Sequence, residues 1–105
     1  MAKTATAAEQ RYMGMVALVP CLVCSRFGRT GERVELHHVA EGSSLRSNWA
    51  VVPLCAEHHR GGSGFHGMGS KGFCGLYRPP GEVEYGLIVW LLSDLERLKL
   101  LRVAA

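Results

Sequence analysis

No stretch of this sequence is long and apolar enough to cross a bilayer. The longest wholly apolar run near the C-terminus, Leu87–Leu92, falls far short of the roughly 20 residues a spanning helix needs. A secretory signal is also missing from the expected place. Met1 to Gln10 is polar and rich in Ala and Thr, and the apolar run Met13–Val19 is short, contains a glycine and is followed by no small-residue cleavage site. Reduced thiols are therefore expected. There are no internal repeats and no low-complexity tract, and nothing suggests a second domain. At 105 residues the chain is expected to be one domain, 1–105, whose core alone would be marginally stable. Chains of this size often add a metal or disulfides. The 48% hydrophobic content excludes a disordered chain, and the net charge of +3 permits a phosphate-bearing partner without requiring one.

What is present is concentrated. All five histidines (His37, His38, His58, His59, His66) and three of the four cysteines (Cys21, Cys24, Cys55) lie between positions 21 and 66. They read Cys-x2-Cys, His-His, Cys-x2-His-His and a lone His. A closed structural zinc site takes four such ligands, so eight are too many for one. With thiols kept reduced, Cys-x2-Cys beside histidines favours zinc over a disulfide. Cys21 and Cys24 form one half-site and Cys55 with His58 the other. Cys74 is an alternative fourth ligand, although a lone cysteine more often behaves as a small buried hydrophobe.

The periodicities predict a helix over Ala5–Val19, capped by Thr4 or Thr6 and ended by Pro20. A Cys knuckle follows, then a hairpin loop over Ser25–Arg33 and a strand over Val34–Val39. In an extended strand the adjacent His37 and His38 point to opposite faces, leaving one free for a different task. A loop is expected over Glu41–Asn48, a second strand over Ala50–Leu54 and a short helix over Ala56–Arg60. Nine of the thirteen glycines lie between Gly61 and Gly86, so much of that segment is expected to be loop. The C-terminal helix is expected over about 82–101, with Glu82 and Glu84 in its first turn and Lys99 and Arg102 near its last. Trp49 and Trp90 are expected in the core.

The run Leu36-His37-His38-Val39, then Asn48, Leu54-Cys55-x2-His58-His59 and His66 resembles the HNH endonuclease family. Four segments narrow the resemblance: His37-His38-Val39-Ala40-Glu41-Gly42, Pro53-Leu54-Cys55, His58-His59-Arg60-Gly61 and Gly64-Phe65-His66-Gly67. Within the family they are similar to the phage recombination enhancement function (Ref) nucleases, which are tied to the host RecA filament. This chain departs from the larger member of that branch in lacking a long basic N-terminal arm. The resemblance implies an α+β fold: a small zinc-stapled HNH (ββα-metal, treble-clef-like) core over 21–66, flanked by N- and C-terminal helices. It implies a metal-dependent endonuclease hydrolysing DNA phosphodiester bonds, phage- or prophage-encoded, acting in the bacterial cytoplasm with DNA and a RecA filament as partners.

The resemblance also assigns roles. His37, His59 and His66 would hold a catalytic divalent cation (Mg²⁺, Mn²⁺ or Zn²⁺), and His38 would be the general base. Asn48 would hold the base's orientation, while Cys21, Cys24, Cys55 and His58 keep the structural zinc. All eight metal-capable side chains are then used. Other readings stand beside these: Asn48 as an ordinary turn residue, His66 as a loop histidine, His38 as a zinc ligand. Arg46, Arg60 and Lys71 around the site are candidate DNA contacts, as are Arg26, Arg29 and Arg33 near the first loop. The alternative function is a non-catalytic zinc-binding module that interacts with DNA or protein. A redox carrier built on Cys21-x2-Cys24 fits poorly without a βαβ pattern.

Overall fold

The computed structural model describes residues 4–41 and 46–100. Helix α1 (Ala7–Val16) begins with a capping box: the Thr6 hydroxyl accepts the Glu9 N–H, and the Glu9 carboxylate accepts the Thr6 N–H at 2.7 Å. It is shorter at both ends than expected, closing before Pro20. Helix α2 (Leu22–Arg26) is a single turn whose start is tied by the Cys24 N–H to Cys21 Sγ. The expected hairpin loop thus begins only after Arg26.

Strands β1 (Val34–His38) and β2 (Val51–Cys55) form a two-stranded antiparallel sheet in which His37 pairs with Val52 and His38 with Val51. Every residue of β2 is buried, Pro53 included, because helices cover the strand on both faces. Pro53 is tolerated since a strand of a two-stranded sheet always has one unpaired edge. Val51, Val52 and Leu54 meet Val16, Val19 and Leu22 from the N-terminal segment and Leu87, Leu91 and Leu95 from the C-terminal helix. The architecture is a small α+β fold, and no described helix is long and apolar enough to cross a membrane.

Helix α3 (Ala56–Arg60) follows β2 without a break and matches its expected bounds. The segment after it does not. Phe65–Tyr77 is a 13-residue helix, α4, bent at Gly69. Its glycines argue against a helix by propensity, but packing prevails: Phe65, Phe73 and Cys74 are buried, and the Tyr77 hydroxyl donates to the Ser63 carbonyl at 2.8 Å. The C-terminal helix, α5, runs Gly86–Arg97 after a 3₁₀ turn at Pro80–Glu82, so Glu82 and Glu84 precede the helix proper. The expected positions Leu101 and Arg102 lie outside the described residues, as do Gly42–Leu45 of the loop between the strands.

Trp49 is a second correction, whereas Trp90 packs against the core. Trp49 is 51% exposed, its ring resting on Tyr12 of α1 at 5.3 Å, while Trp90 is only partly buried. Trp90 lies under the Arg26 guanidinium at 4.3 Å. Arg26 also makes two 3.0 Å bonds to the buried Asp94 carboxylate, joining α2 to α5. That pairing gives Arg26, one of the candidate phosphate contacts, a structural task.

Candidate functional site

Among the described residues, two clusters of metal-capable side chains form on either side of α3. The first comprises Cys21, Cys24, Cys55 and His58, all buried. Cys24 Sγ and Cys55 Sγ stand 3.7 Å apart, far beyond a disulfide bond of about 2.05 Å, and all four cysteines of the chain are free. His58 Nδ1 lies 3.6, 3.4 and 3.2 Å from the sulfurs of Cys21, Cys24 and Cys55. Zinc bonds of about 2.3 Å to sulfur and 2.0–2.1 Å to nitrogen give a tetrahedron with edges of about 3.8 and 3.6 Å, close to this spacing.

The electrostatics agree with the geometry. Burial pushes the Cys21 thiol up and, with Cys21 and Cys55 beside it, pushes Cys24 up to about 12. Burial also lowers His58, so its ring is neutral. Thiols packed this way resist ionising unless a cation replaces their protons, and a neutral imidazole supplies the fourth lone pair. The buried Cys3His set fits a zinc ion. Cys74 stands apart from this group as a buried thiol at 2% exposure.

The second cluster brings together His37, His59 and His66, one potential ligand nitrogen from each lying within 4.8 Å of the others. Ring centroids are separated by 5.3 Å for His37–His59, 5.3 Å for His37–His66 and 4.8 Å for His59–His66. His37 comes from β1 and His59 from α3. His66 comes from the first turn of α4, and close packing between α3 and α4 brings it back. A Cβ on Gly64 would collide with the backbone of Glu57 and His58, and one on Gly67 with the carbonyl of Gly61. Ser63 fastens the same turn, donating both its N–H (2.8 Å) and its hydroxyl to the Glu57 carboxylate.

Two carboxylates that the sequence did not single out orient these rings. Glu84, at 4% exposure, lies 2.9 Å from His37 Nε2. Glu35 lies 2.8 Å from His59 Nδ1 and also pairs with Arg60. Arg60 and His59 hold the Glu35 carboxyl well below its ordinary value, at about 2, so it is ionised. Burial holds His37 below its ordinary pKa despite Glu84, leaving a neutral ring able to donate a lone pair. His37 and Glu84 are 47 positions apart in the chain, and no local pattern announces such a pair. A glutamate alternating with histidine along a strand, as Glu35 does with His37, was the one available signal for the other.

His38 points to the opposite strand face, yet it lines the same concavity of about 500 Å³ as His37, Arg46, His59 and His66. Its Nε2 lies 3.0 Å from Asn48 Oδ1 and its Nδ1 lies 2.9 Å from an Arg46 guanidinium nitrogen. A guanidinium only donates, so Nδ1 must carry the lone pair and Nε2 the proton given to Asn48. The ring is thus held in one tautomer, away from the zinc cluster. Lys71 is exposed on α4, and Arg29 and Arg33 are exposed in the loop before β1.

No curated protein matches the chain. A family model described as "Recombination enhancement, RecA-dependent nuclease" matches residues 5–83, a span that holds both clusters, His38 and Asn48. The chain belongs to the family of RecA-dependent nucleases of recombination enhancement.

Proposed function

We propose that the protein is an HNH-type, metal-dependent endonuclease that hydrolyses DNA phosphodiester bonds in concert with a RecA filament. The observation that carries this reading is the opening of His38, in a fixed tautomer, onto the same concavity as the His37, His59 and His66 cluster. Those three imidazoles hold the cation, and protein ligands numbering three leave positions open to substrate. A divalent cation bound there supplies Lewis acidity toward a phosphodiester oxygen.

The remaining work belongs to side chains. Asn48 accepts the His38 Nε2 proton and so presents the Nδ1 lone pair to solvent and substrate. Arg46 sits on that nitrogen. A DNA phosphate offers a guanidinium a stronger partner than a neutral imidazole does, so substrate arrival draws Arg46 away and exposes the base. Water then attacks phosphorus, its proton passes to His38 Nδ1, and one phosphorus–oxygen ester bond breaks as the departing oxygen takes a proton from solvent water. Lys71 and Arg60 add cationic contacts to the DNA backbone, Arg60 while tied to Glu35. Cys21, Cys24, Cys55 and His58 keep a structural zinc that holds α2 against α3.

Single-turnover cleavage of plasmid, linear and single-stranded DNA, with Mg²⁺, Mn²⁺ or Zn²⁺ and with or without a RecA filament, tests the reading. His38→Ala should bind DNA and both metals yet cleave slower by about 10²-fold or more, the range for losing a general base. Cleavage by His38→Ala at the wild-type rate overturns the mechanism. Wild-type DNA binding without cleavage under every condition would favour a non-catalytic zinc-binding module.

A further inference from the structure

We propose that Glu84 is a positioning residue for the cation site, selecting which nitrogen of His37 faces the cation and fixing the chain just beyond the His-His pair. This rests on the reading of His37, His59 and His66 as cation ligands. Glu84 lies one residue beyond the segment matched by the nuclease family and in the turn before α5, remote in sequence from every other residue of the site.

A carboxylate buried this deeply is costly unless its oxygens are filled by donors. Glu84 has three. His37 Nε2 donates to Oε2 at 2.9 Å, the Ala40 N–H to Oε2 at 3.3 Å and the Glu41 N–H to Oε1 at 2.8 Å. Both Glu84 oxygens already accept from backbone N–H groups, and in the same accepting role toward the ring the carboxylate leaves the proton of His37 on Nε2. Nδ1 is left with the free lone pair. Metal-ligating histidines commonly have their second nitrogen fixed in this manner.

The two backbone donors extend the effect. Ala40 and Glu41 follow His37, His38 and Val39 directly, so Glu84 anchors the exit of the strand that bears both a ligand and the base. The contact is reciprocated: the Tyr85 N–H donates to Glu41 Oε2 at 2.9 Å. Glu41 holds a left-handed backbone (φ 47°), unusual for a residue with a side chain, and these bonds offset its strain. One buried acidic group thus joins the start of α5 to ligand, base strand and turn.

Glu84→Gln is nearly isosteric but replaces one acceptor oxygen with a donor. Its single oxygen cannot accept from His37 Nε2, the Ala40 N–H and the Glu41 N–H together as the two carboxylate oxygens do, so either the hold on His37 or the anchor of the strand exit is lost. The test titrates Mn²⁺ into full-length, zinc-loaded protein for wild type, Glu84→Gln and His66→Ala, with zinc content measured by mass spectrometry. Long-range ¹H–¹⁵N spectra of the wild type, free of Mn²⁺, report the His37 tautomer.

Wild type should bind Mn²⁺ at a site that His66→Ala loses. Glu84→Gln should keep its zinc and bind Mn²⁺ weaker by about 10–100-fold. His37 should appear as the Nε2–H tautomer in the wild type. Wild-type affinity in Glu84→Gln, with the site still lost in His66→Ala, overturns the role of Glu84 and leaves the site standing. Equal binding by wild type and His66→Ala means that the cation site itself is misassigned, and the inference falls with it. Should Glu84→Gln fail to fold, the wild-type spectrum decides, and an Nδ1–H tautomer of His37 overturns the proposal.

Discussion

His38 is held by one acceptor and one donor, and this pairing makes specific demands on its neighbours. Asn48→Ala removes the acceptor at Nε2, freeing the ring to turn and to change tautomer. Its cleavage rate should fall by about tenfold or more, short of the about 10²–10⁴-fold that a general base supplies, with Mn²⁺ affinity unchanged. A rate loss accompanied by equal loss of metal would instead place Asn48 in the cation site. Arg46→Ala acts on a different quantity. If Arg46 moves from His38 to a phosphate on binding, its loss should flatten the slope of log affinity against log salt by about one contact. Fluorescence anisotropy across a salt series measures that slope, and an unchanged slope would leave Arg46 without a phosphate. The histidines themselves were legible in the sequence, because ligand spacing is a local pattern. Glu84 was not, because its partner lies 47 positions away in the chain. It read only as an acidic residue favouring a helix start.

At the scale of elements, the turn from α3 to α4 decides whether three histidines can meet. Seven positions separate His59 from His66, which on one continuous helix would stand two turns and about 10.5 Å apart, so the chain must fold back on itself. It does so by placing the backbone of Gly61 where a side chain on residue 67 would stand. Gly67→Ala should therefore cost about 1–3 kcal/mol, the usual penalty for overpacking. It should also weaken Mn²⁺ binding while zinc content stays at one equivalent. Thermal melts and metal titration together test this, and a variant with wild-type cation affinity would show that His66 is not needed. Helix α4 itself escaped the sequence reading. Four of its thirteen residues are glycine, and local propensity pointed to loop, but the buried faces of Phe65 and Phe73 outweigh that penalty. The strands and α3 were legible because β-prone runs and a Gly-Gly stop are local signals. Trp49 misled, since an aromatic between two strands reads as core when its ring in fact rests on Tyr12 of α1 and stays half exposed.

For the molecule as a whole, zinc is expected to be the largest single contribution to folding. Structural zinc sites bind with about 10–16 kcal/mol near neutral pH, against a typical net stability of about 5–15 kcal/mol. Cys55→Ser should accordingly abolish the cooperative melt. Mild chelation should stop cleavage first and leave the far-ultraviolet circular dichroism native, because an open three-ligand site holds its cation more weakly. Acidity acts in the same direction as chelation. The thiols of Cys21 and Cys24 are raised by burial, so protons stay on them without metal and zinc must displace those protons to bind. Zinc affinity should then rise with pH, and the chelator concentration that unfolds the protein should fall as pH is lowered from 8 to 6. A pH-independent midpoint would remove these thiols from the ligand set.

His58 and His59 are consecutive residues on a helix of five, the first turned to the sulfur cluster and the second to the histidine cluster. A single helical turn cannot persist alone in water, since nucleation is unfavourable and so short a segment repays little of it. These five residues therefore depend on what surrounds them: packing against β1, β2 and α4, and, on the proposed ligand set, a zinc ion gathering the knuckle around His58. Losing that ion would loosen the direction of His59 and with it the meeting with His37 and His66. Maturation is then expected to run in one order, with the structural ion arriving before the second ion has a firm place to sit. On this reading a newly made chain in a zinc-starved cell would bind magnesium or manganese poorly however much surrounded it.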